Sequence, residues 1–213
     1  MRREMVTEGH WVFGYGSLMW RPGFTFVERR EAVLHGWHRA FCVYSHVHRG
    51  TPDQPGLVLG LDRGGACRGV AYRIAPAEWP RVRDYLQERE QATLVYLEAR
   101  KRLRLRGGGD HGRHITALTY LADRTHVQYA GRLAEEDQVR LILQGHGRSG
   151  DNVSYLLNTV THLDEAGLRE GALHRLRDRV LAALDGSCGR ASAPLQYPRL
   201  PHAGNGSPKP GLG

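Results

Sequence analysis

The sequence predicts an α+β fold whose sheet is mostly antiparallel. Short apolar segments bounded by glycine and proline recur through the first 122 residues, as is typical of strands. Tight turns join most of these segments, whereas parallel strands need long crossover connections. Helical spacing is found in one insert, at residues 78–91, and in the last third of the chain. This order favours antiparallel pairing, with most of the helices gathered after the strands.

The strands follow from these apolar segments in chain order. The first begins at His10 and breaks at two glycines, Gly14 and Gly16, before a turn at residues 21–23. The other predicted strands are residues 32–44 around a turn at Gly36, then 57–61, 67–74, 94–105 and 114–122. The predicted connections are a loop at residues 48–56, a hairpin-type turn at 62–65 and a turn at 106–110.

Four helices are predicted. The first spans residues 78–91, where Trp79, Val82 and Leu86 have near-helical spacing. The others are residues 134–144, ending at Gly145, then a helix capped by Asp151 that runs through Leu163, and residues 167–184.

The chain of 213 residues is long enough for one domain with a substantial core, predicted here at residues 11–185. Residues 1–10 form an N-terminal extension without the apolar stretch of a signal peptide. Residues 186–213 are rich in glycine, serine and proline, so we expect a disordered tail.

The composition narrows the function classes. The formal charge is +8, and the basic residues are almost all arginine, since Lys101 and Lys209 are the only two lysines. This positive charge suits an anionic small-molecule substrate or reflects a coding bias. The basic run at residues 100–106 alternates as a strand with one solvated face does, and it lacks interleaved aromatic residues. We therefore expect no nucleic-acid partner. No apolar run is long enough to cross a membrane. Three widely spaced cysteines indicate a reducing compartment, and we expect the cytoplasm.

A glycine turn follows the first strand. In residues 13–18, Phe-Gly-Tyr-Gly-Ser-Leu, the two glycines let the backbone approach a ligand, and successive N–H groups can cradle an anion. A dinucleotide site needs a third glycine and a following helix, and Pro22 stands against that helix. Ser17 lacks the flanking glycines of a hydrolase nucleophile elbow, because Tyr15 and Met19 occupy those positions. A plain tight turn remains the alternative.

A pair of carboxylates ends the first predicted helix. Glu88 and Glu90 are two residues apart and so point to different sides. The negative end of the helix dipole raises the pKa of a carboxyl group there, which favours proton acceptance. The alternative is an ordinary solvated helix end. Histidines 46, 48, 111 and 114 do not form a recognisable metal-binding pattern, so no metal is expected.

Taken in order, these motifs resemble the ChaC family, the glutathione-specific γ-glutamyl cyclotransferases. The matching segments are Phe-Gly-Tyr-Gly-Ser-Leu-Met-Trp at 13–20, Gly-Trp-His-Arg-Ala-Phe at 36–41, His-Arg-Gly-Thr-Pro at 48–52, Gly-Val-Ala-Tyr at 69–72, Tyr-Leu-Gln-Glu-Arg-Glu at 85–90, Tyr129 and the stretch 147–157. The resemblance covers roughly residues 11–180. One departure is Val95, where the family tends to have a small residue before the following tyrosine.

The resemblance implies a small barrel-like sheet flanked by helices, and an enzyme that needs neither metal nor cofactor. It implies that the turn Phe13, Gly14, Tyr15, Gly16, Ser17 and Leu18 binds the γ-glutamyl group and that Glu90 is the catalytic base and acid. Glutathione would be cleaved to 5-oxoproline and Cys-Gly by attack of its own α-amine.

Two further residues are predicted to touch the substrate, each with an equally good structural alternative. Arg49 suits a substrate carboxylate or braces its loop, and Tyr129 offers a hydroxyl or is an ordinary half-buried tyrosine. Other γ-glutamyl amino acids or amines, or a non-catalytic binding or regulatory role, remain open. We expect a small-molecule substrate, no membrane association, and a monomer or weak homodimer.

Overall fold

The computed structural model of this protein describes residues 9–90, 94–109 and 111–186. The predicted tail, apart from Gly186, and residues 1–8 of the predicted extension lie outside this part of the chain. None of the helices in the described residues has the length and apolar character needed to cross a membrane.

A closed five-stranded barrel forms the centre of the fold. Its strands are β1 (His10–Gly14), β2 (Glu28–Ser45), β3 (Gly56–Ile74), β4 (Tyr96–Leu105) and β5 (His114–Ala122). Around the barrel the order is β1, β3, β2, β4 and β5. Neighbouring strands are antiparallel except β1 and β5, which pair in parallel at Val12 and Leu118. The predicted α+β class, with a mostly antiparallel barrel-like sheet, is confirmed.

The longest feature of the barrel is the hairpin of β2 and β3, paired from Glu28 with Arg73 to Ser45 with Gly56. The turns predicted at Gly36 and at residues 62–65 were wrong, because both strands run through these positions. Gly36 instead sits at a bulge with φ +80°, and the glycines at 64 and 65 also have positive φ. Such bulges bend and twist a strand while its partner continues, which helps the sheet to close.

Four helices surround the barrel. They are α1 (Trp79–Glu90), α2 (Glu135–Gln144), α3 (Asn152–Glu165) and α4 (Gly171–Gly186). The side chain of Asp151 accepts a hydrogen bond from the Ser154 N–H at 2.6 Å, which confirms the predicted cap of α3. Helix α4 starts four residues later than predicted, after Gly167, whose φ of +65° breaks the helical path.

Two shorter elements complete the described chain. A 3₁₀ turn, Pro76–Glu78, leads into α1, so this helix begins one residue later than predicted. Strands β6 (His146–Gly147) and β7 (Gly150–Asp151) pair between α2 and α3.

The core joins the barrel to the helices. Leu57 and Ile74 of β3 are fully buried in the same cluster as Leu86 of α1, Ile142 of α2 and Val160 of α3. Burial of each such side chain contributes about 1.5–3 kcal/mol. Because Leu86 anchors α1 on the barrel, the C-terminal end of this helix has a fixed position beside the end of β1.

Candidate active site

The glycine turn after β1 folds tightly back on itself. Residues Ser17–Met19 form one turn of 3₁₀ helix, closed by a hydrogen bond from the Met19 N–H to the Gly16 carbonyl at 2.8 Å. A Cβ at Gly14 would lie 2.8 Å from the Leu18 Cβ, so position 14 requires glycine. The first N–H groups of such a turn have no acceptor within it. They are therefore available to a ligand.

Two buried side chains hold this turn in place from below. The Tyr72 hydroxyl on β3 lies 3.0 Å from the Leu18 carbonyl and 2.8 Å from the Met19 carbonyl, so its one proton is shared between these two acceptors. The Arg39 guanidinium on β2 donates to the Tyr15 carbonyl. The turn is therefore fixed by the barrel wall and not by its own contacts alone.

Arg89 connects helix α1 to the same turn. Its guanidinium donates to the Ser17 hydroxyl at 2.9 Å and to the Arg21 carbonyl at 2.8 Å. Since Glu90 is the next residue, these contacts also set the position of its carboxylate.

Glu90 is the last residue of α1, and its side chain is 19% exposed. Burial raises the pKa of its carboxyl group above the ordinary glutamate value, and the Arg89 guanidinium, 3.3 Å away, partly opposes this. The raised pKa was predicted, and burial is its largest cause. A carboxylate with a raised pKa is a better proton acceptor than a free one.

The turn and the glutamate meet in one small cavity. Its lining consists of Tyr15, Gly16, Ser17, Leu18, Leu59, Glu90, Tyr96, Tyr120 and Tyr155. The cavity volume is about 80 Å³, whereas pockets that enclose a drug-sized ligand usually measure roughly 300–1,000 Å³. The cavity therefore suits one end of a small molecule, with the remainder lying outside it.

Three tyrosines of this cavity were not predicted as site residues. The Tyr96 hydroxyl donates to the Leu59 carbonyl at 2.8 Å, and the Tyr155 hydroxyl accepts from the Leu59 N–H at 3.4 Å. Burial raises the pKa of Tyr96, Tyr120 and Tyr155, so these phenols stay neutral at physiological pH. The sequence offers little signal for them, because they come from β4, β5 and α3.

The other predicted site residues lie around this cavity or away from it. Phe13 and Gly14 end β1 directly beneath the turn. Arg49 does not line this cavity; its guanidinium donates to the Asp151 carbonyl at 3.2 Å and lies 5.1 Å from the centre of the Tyr155 ring.

Tyr129 has its hydroxyl engaged elsewhere. It donates to the Asp62 carboxylate at 2.9 Å and accepts from the Arg124 guanidinium at 3.0 Å. The structure therefore brings together Tyr15, Gly16, Ser17, Leu18 and Glu90, and leaves Tyr129 in a separate polar cluster.

Within residues 9–90, 94–109 and 111–186, His, Cys, Asp and Glu side chains do not come together in groups of three or more that could hold a metal ion. His111 instead accepts a hydrogen bond from the Gly107 N–H at 3.1 Å in the connection between β4 and β5.

Comparisons with known proteins show which family the sequence matches. The family model described as ChaC-like protein matches residues 10–184. The glutathione-specific gamma-glutamylcyclotransferase of Escherichia coli K12 is 37% identical over 166 residues, which cover 78% of this chain and 70% of that protein. The human glutathione-specific gamma-glutamylcyclotransferase 1 is 32% identical over 168 residues, covering 78% of this chain and 75% of that protein.

The fold also matches a solved structure. The crystal structure of a yeast gamma-glutamyl cyclotransferase specific to glutathione superimposes with a TM-score of 0.73 at 24% identity. The match covers 83% of this chain and 97% of the yeast chain.

Proposed function

Because this chain belongs to the family of ChaC-like proteins, we propose that it is a lyase that cleaves glutathione to 5-oxoproline and Cys-Gly. The names of its relatives, glutathione-specific gamma-glutamylcyclotransferases, support this substrate. The observation that carries the proposal is the one small cavity in which the largely buried carboxylate of Glu90 and the glycine turn Tyr15–Leu18 both line the wall.

The reaction is an internal displacement in the substrate. The α-nitrogen of the γ-glutamyl group attacks the γ-carbonyl carbon, a carbon–nitrogen bond closes the five-membered lactam, and the γ-amide bond breaks. The α-ammonium gives up two protons in all and the leaving nitrogen gains two, so the step consumes no net proton. Glu90 accepts a proton from the α-nitrogen and passes one to the leaving nitrogen.

The remaining tasks are positioning and charge stabilisation. A cavity of about 80 Å³ suits the γ-glutamyl end and holds it folded, so that the α-nitrogen meets the carbonyl. N–H groups of the Tyr15–Leu18 turn stabilise the oxyanion, and losing one such donor typically costs about 3 kcal/mol. The substrate supplies its own nucleophile, so no protein nucleophile is required.

The test is Glu90→Gln, which keeps the shape of the side chain and removes its ability to accept a proton. We expect the rate of 5-oxoproline release from glutathione to fall by roughly 10²–10⁴-fold. Glu88→Gln is the matched control, since Glu88 lies exposed on the same helix, and it should retain the wild-type rate. Near wild-type turnover by Glu90→Gln would contradict the proposal.

The leaving amine needs its own experiment, because the cavity accounts for the γ-glutamyl half alone. Glutathione and γ-glutamyl-alanine are compared under the same assay, with and without EDTA. Preference for γ-glutamyl-alanine would point to a broader cyclotransferase, and activity lost in EDTA would overturn cofactor-free catalysis. The cytoplasmic location, the monomeric or weakly dimeric state and substrate contacts of Arg49 and Tyr129 stay predictions.

A further inference from the structure

A cavity of about 250 Å³ lies between the hairpin of β2 and β3 and the end of helix α3. Neither Glu90 nor any residue of the Tyr15–Leu18 turn lines it, so it is distinct from the candidate active site. Its volume is below the roughly 300–1,000 Å³ of pockets for drug-sized ligands, and it suits a molecule of about dipeptide size. The charged side chains of its lining are Arg29, Glu31, Arg68 and Glu165.

Arg29 is a cation of this wall that lacks an acidic partner. It pairs with Tyr72 in the β2–β3 register, so the two side chains lie on the same face of the sheet. Burial raises the pKa of the Tyr72 phenol, and the neighbouring Arg29 guanidinium opposes this rise. The Tyr72 hydroxyl lies 2.8 Å from the Met19 carbonyl, which places the charged end of Arg29 near Met19, another lining residue. Arg68 pairs with Glu31 at 3.4 Å, whereas Arg29 has no ion pair within the part of the chain that the structure describes.

Glu165, the last residue of α3, brings a carboxylate to the same cavity. The carboxylate lies 2.9 Å from Nδ1 of His162. The His162 ring in turn stacks on the Trp20 ring, with 4.4 Å between the two centres. Trp20 follows Met19 in the chain, so these contacts hold the last turn of α3 against the segment that continues from the glycine turn.

Arg29 and Glu165 therefore present opposite charges to one cavity and, among the described residues, form no ion pair with each other. A ligand with a carboxylate at one end and an ammonium group at the other would pair with both. A simple anion such as phosphate fits less well, because Glu31 and Glu165 repel it, and Arg29 and Arg68 likewise repel a simple cation. Val70 adds apolar surface for the body of the ligand.

We propose that this cavity binds a zwitterion of about dipeptide size, with its carboxylate at Arg29 and its ammonium group at Glu165. Cys-Gly, the amine released under the proposed function, is such a molecule, and the choice of this probe rests on that function. Met19 ends the 3₁₀ turn and lines this cavity, so the bound dipeptide would contact the glycine-turn segment from outside the active-site cavity.

The test is calorimetric titration with three compounds: Cys-Gly, N-acetyl-Cys-Gly, which lacks the ammonium group, and Cys-Gly amide, which lacks the carboxylate. The wild-type protein should bind Cys-Gly about tenfold more tightly than either derivative. Glu165→Gln should weaken Cys-Gly binding about tenfold and leave N-acetyl-Cys-Gly binding unchanged. Arg29→Gln should weaken Cys-Gly binding by a similar factor and leave Cys-Gly amide binding unchanged.

The matched controls are Arg81→Gln and Glu88→Gln, the same substitutions at exposed positions of α1, and both should keep the wild-type affinity. Unchanged Cys-Gly affinity in both Arg29→Gln and Glu165→Gln would overturn the assignment, because binding would then lie elsewhere, for instance in the active site alone. Equal affinity of the wild-type protein for all three compounds, or no binding of Cys-Gly, would overturn it without relying on any variant. A protein that binds Cys-Gly as expected but releases no 5-oxoproline from glutathione would refute the proposed function and support this site.

Discussion

Arg39 connects the glycine turn to two distant parts of the chain, and its replacement by methionine tests whether this connection holds the site together. Its side chain is fully buried. The guanidinium donates to the Tyr15 carbonyl, to the Arg68 carbonyl and to the Glu170 carboxylate. It also lies 3.3 Å from the Met19 sulfur. Arg39→Met keeps an unbranched side chain of similar length but removes every donor.

The expected loss of stability follows from the polar groups that Arg39→Met leaves without a donor. Each carbonyl that loses its buried donor costs about 1–3 kcal/mol. Glu170 is 26% exposed and regains some hydration, so it adds less than a fully buried carboxylate would. Together these terms lower the free energy of unfolding by roughly 3–5 kcal/mol. For a chain of this size each kcal/mol corresponds to about 2–4 °C, so Tm should fall by roughly 10 °C.

Urea unfolding and thermal melting measure this loss, and 5-oxoproline release measures its effect on the site. A shift of the Tyr15 carbonyl by about 1 Å would lower kcat by up to roughly 100-fold. Glu170→Gln is the control, because it keeps an acceptor for Arg39 and should cost only about 1 kcal/mol. An Arg39→Met protein with unchanged Tm and kcat would refute the idea that this side chain braces the turn.

Three further predictions concern Glu90 and the packing beneath the turn. Because burial raises the pKa of Glu90, the acidic limb of a kcat/KM profile should have its midpoint above the ordinary glutamate value; a midpoint at that value would contradict the role of burial. Because burial disfavours the ionised form of Glu90, the folded protein loses stability as pH rises through the raised pKa and this carboxyl group ionises. Glu90→Gln stays neutral, so it should resist urea better than wild type at pH 7. The difference should be smaller at pH 4, where Glu90 is largely protonated. Gly69→Ala should lower the free energy of unfolding by roughly 1–3 kcal/mol, because its Cβ would lie 2.4 Å from the Gly14 carbonyl oxygen. A Cβ at Gly109 would meet nothing within 4 Å among the described residues other than its own chain neighbours, so Gly109→Ala should melt like wild type.

The sequence predicted where strands and helices occur better than it predicted how far the strands extend. Glycines at 36, 64 and 65 have positive φ in the structure, as a turn would require, yet each lies inside a long strand. A glycine permits a turn or a bulge equally well, and the choice depends on whether a partner strand continues alongside. That partner lies far away in the sequence, so local patterns do not identify the outcome.

In the candidate site too, residues within one short segment were predicted, whereas residues brought together from distant parts of the chain were not. Tyr15–Leu18 is a single short segment, and the resemblance predicted both it and Glu90 as site residues; the structure places them in one cavity. Tyr96 and Tyr155 lie on different elements and meet the turn because the barrel closes and α3 packs against it. Tyrosines in apolar segments are ordinary core residues in most proteins, so their role follows from the closed barrel and not from their spacing.

The motif Tyr-Leu-Gln-Glu-Arg-Glu at residues 85–90 can be explained position by position. Leu86 is fully buried and fixes α1 on the barrel. The Tyr85 hydroxyl accepts from Arg89 at 2.7 Å and occupies the space above Gly23, where a Cβ would lie 2.1 Å away. Arg89 then reaches the glycine turn, and Glu90 enters the cavity. Successive side chains on a helix point in different directions, so the last five residues of α1 provide the anchor, the brace and the proposed base. Loss of Tyr85, Leu86 or Arg89 should therefore change catalysis through the position of the Glu90 carboxylate.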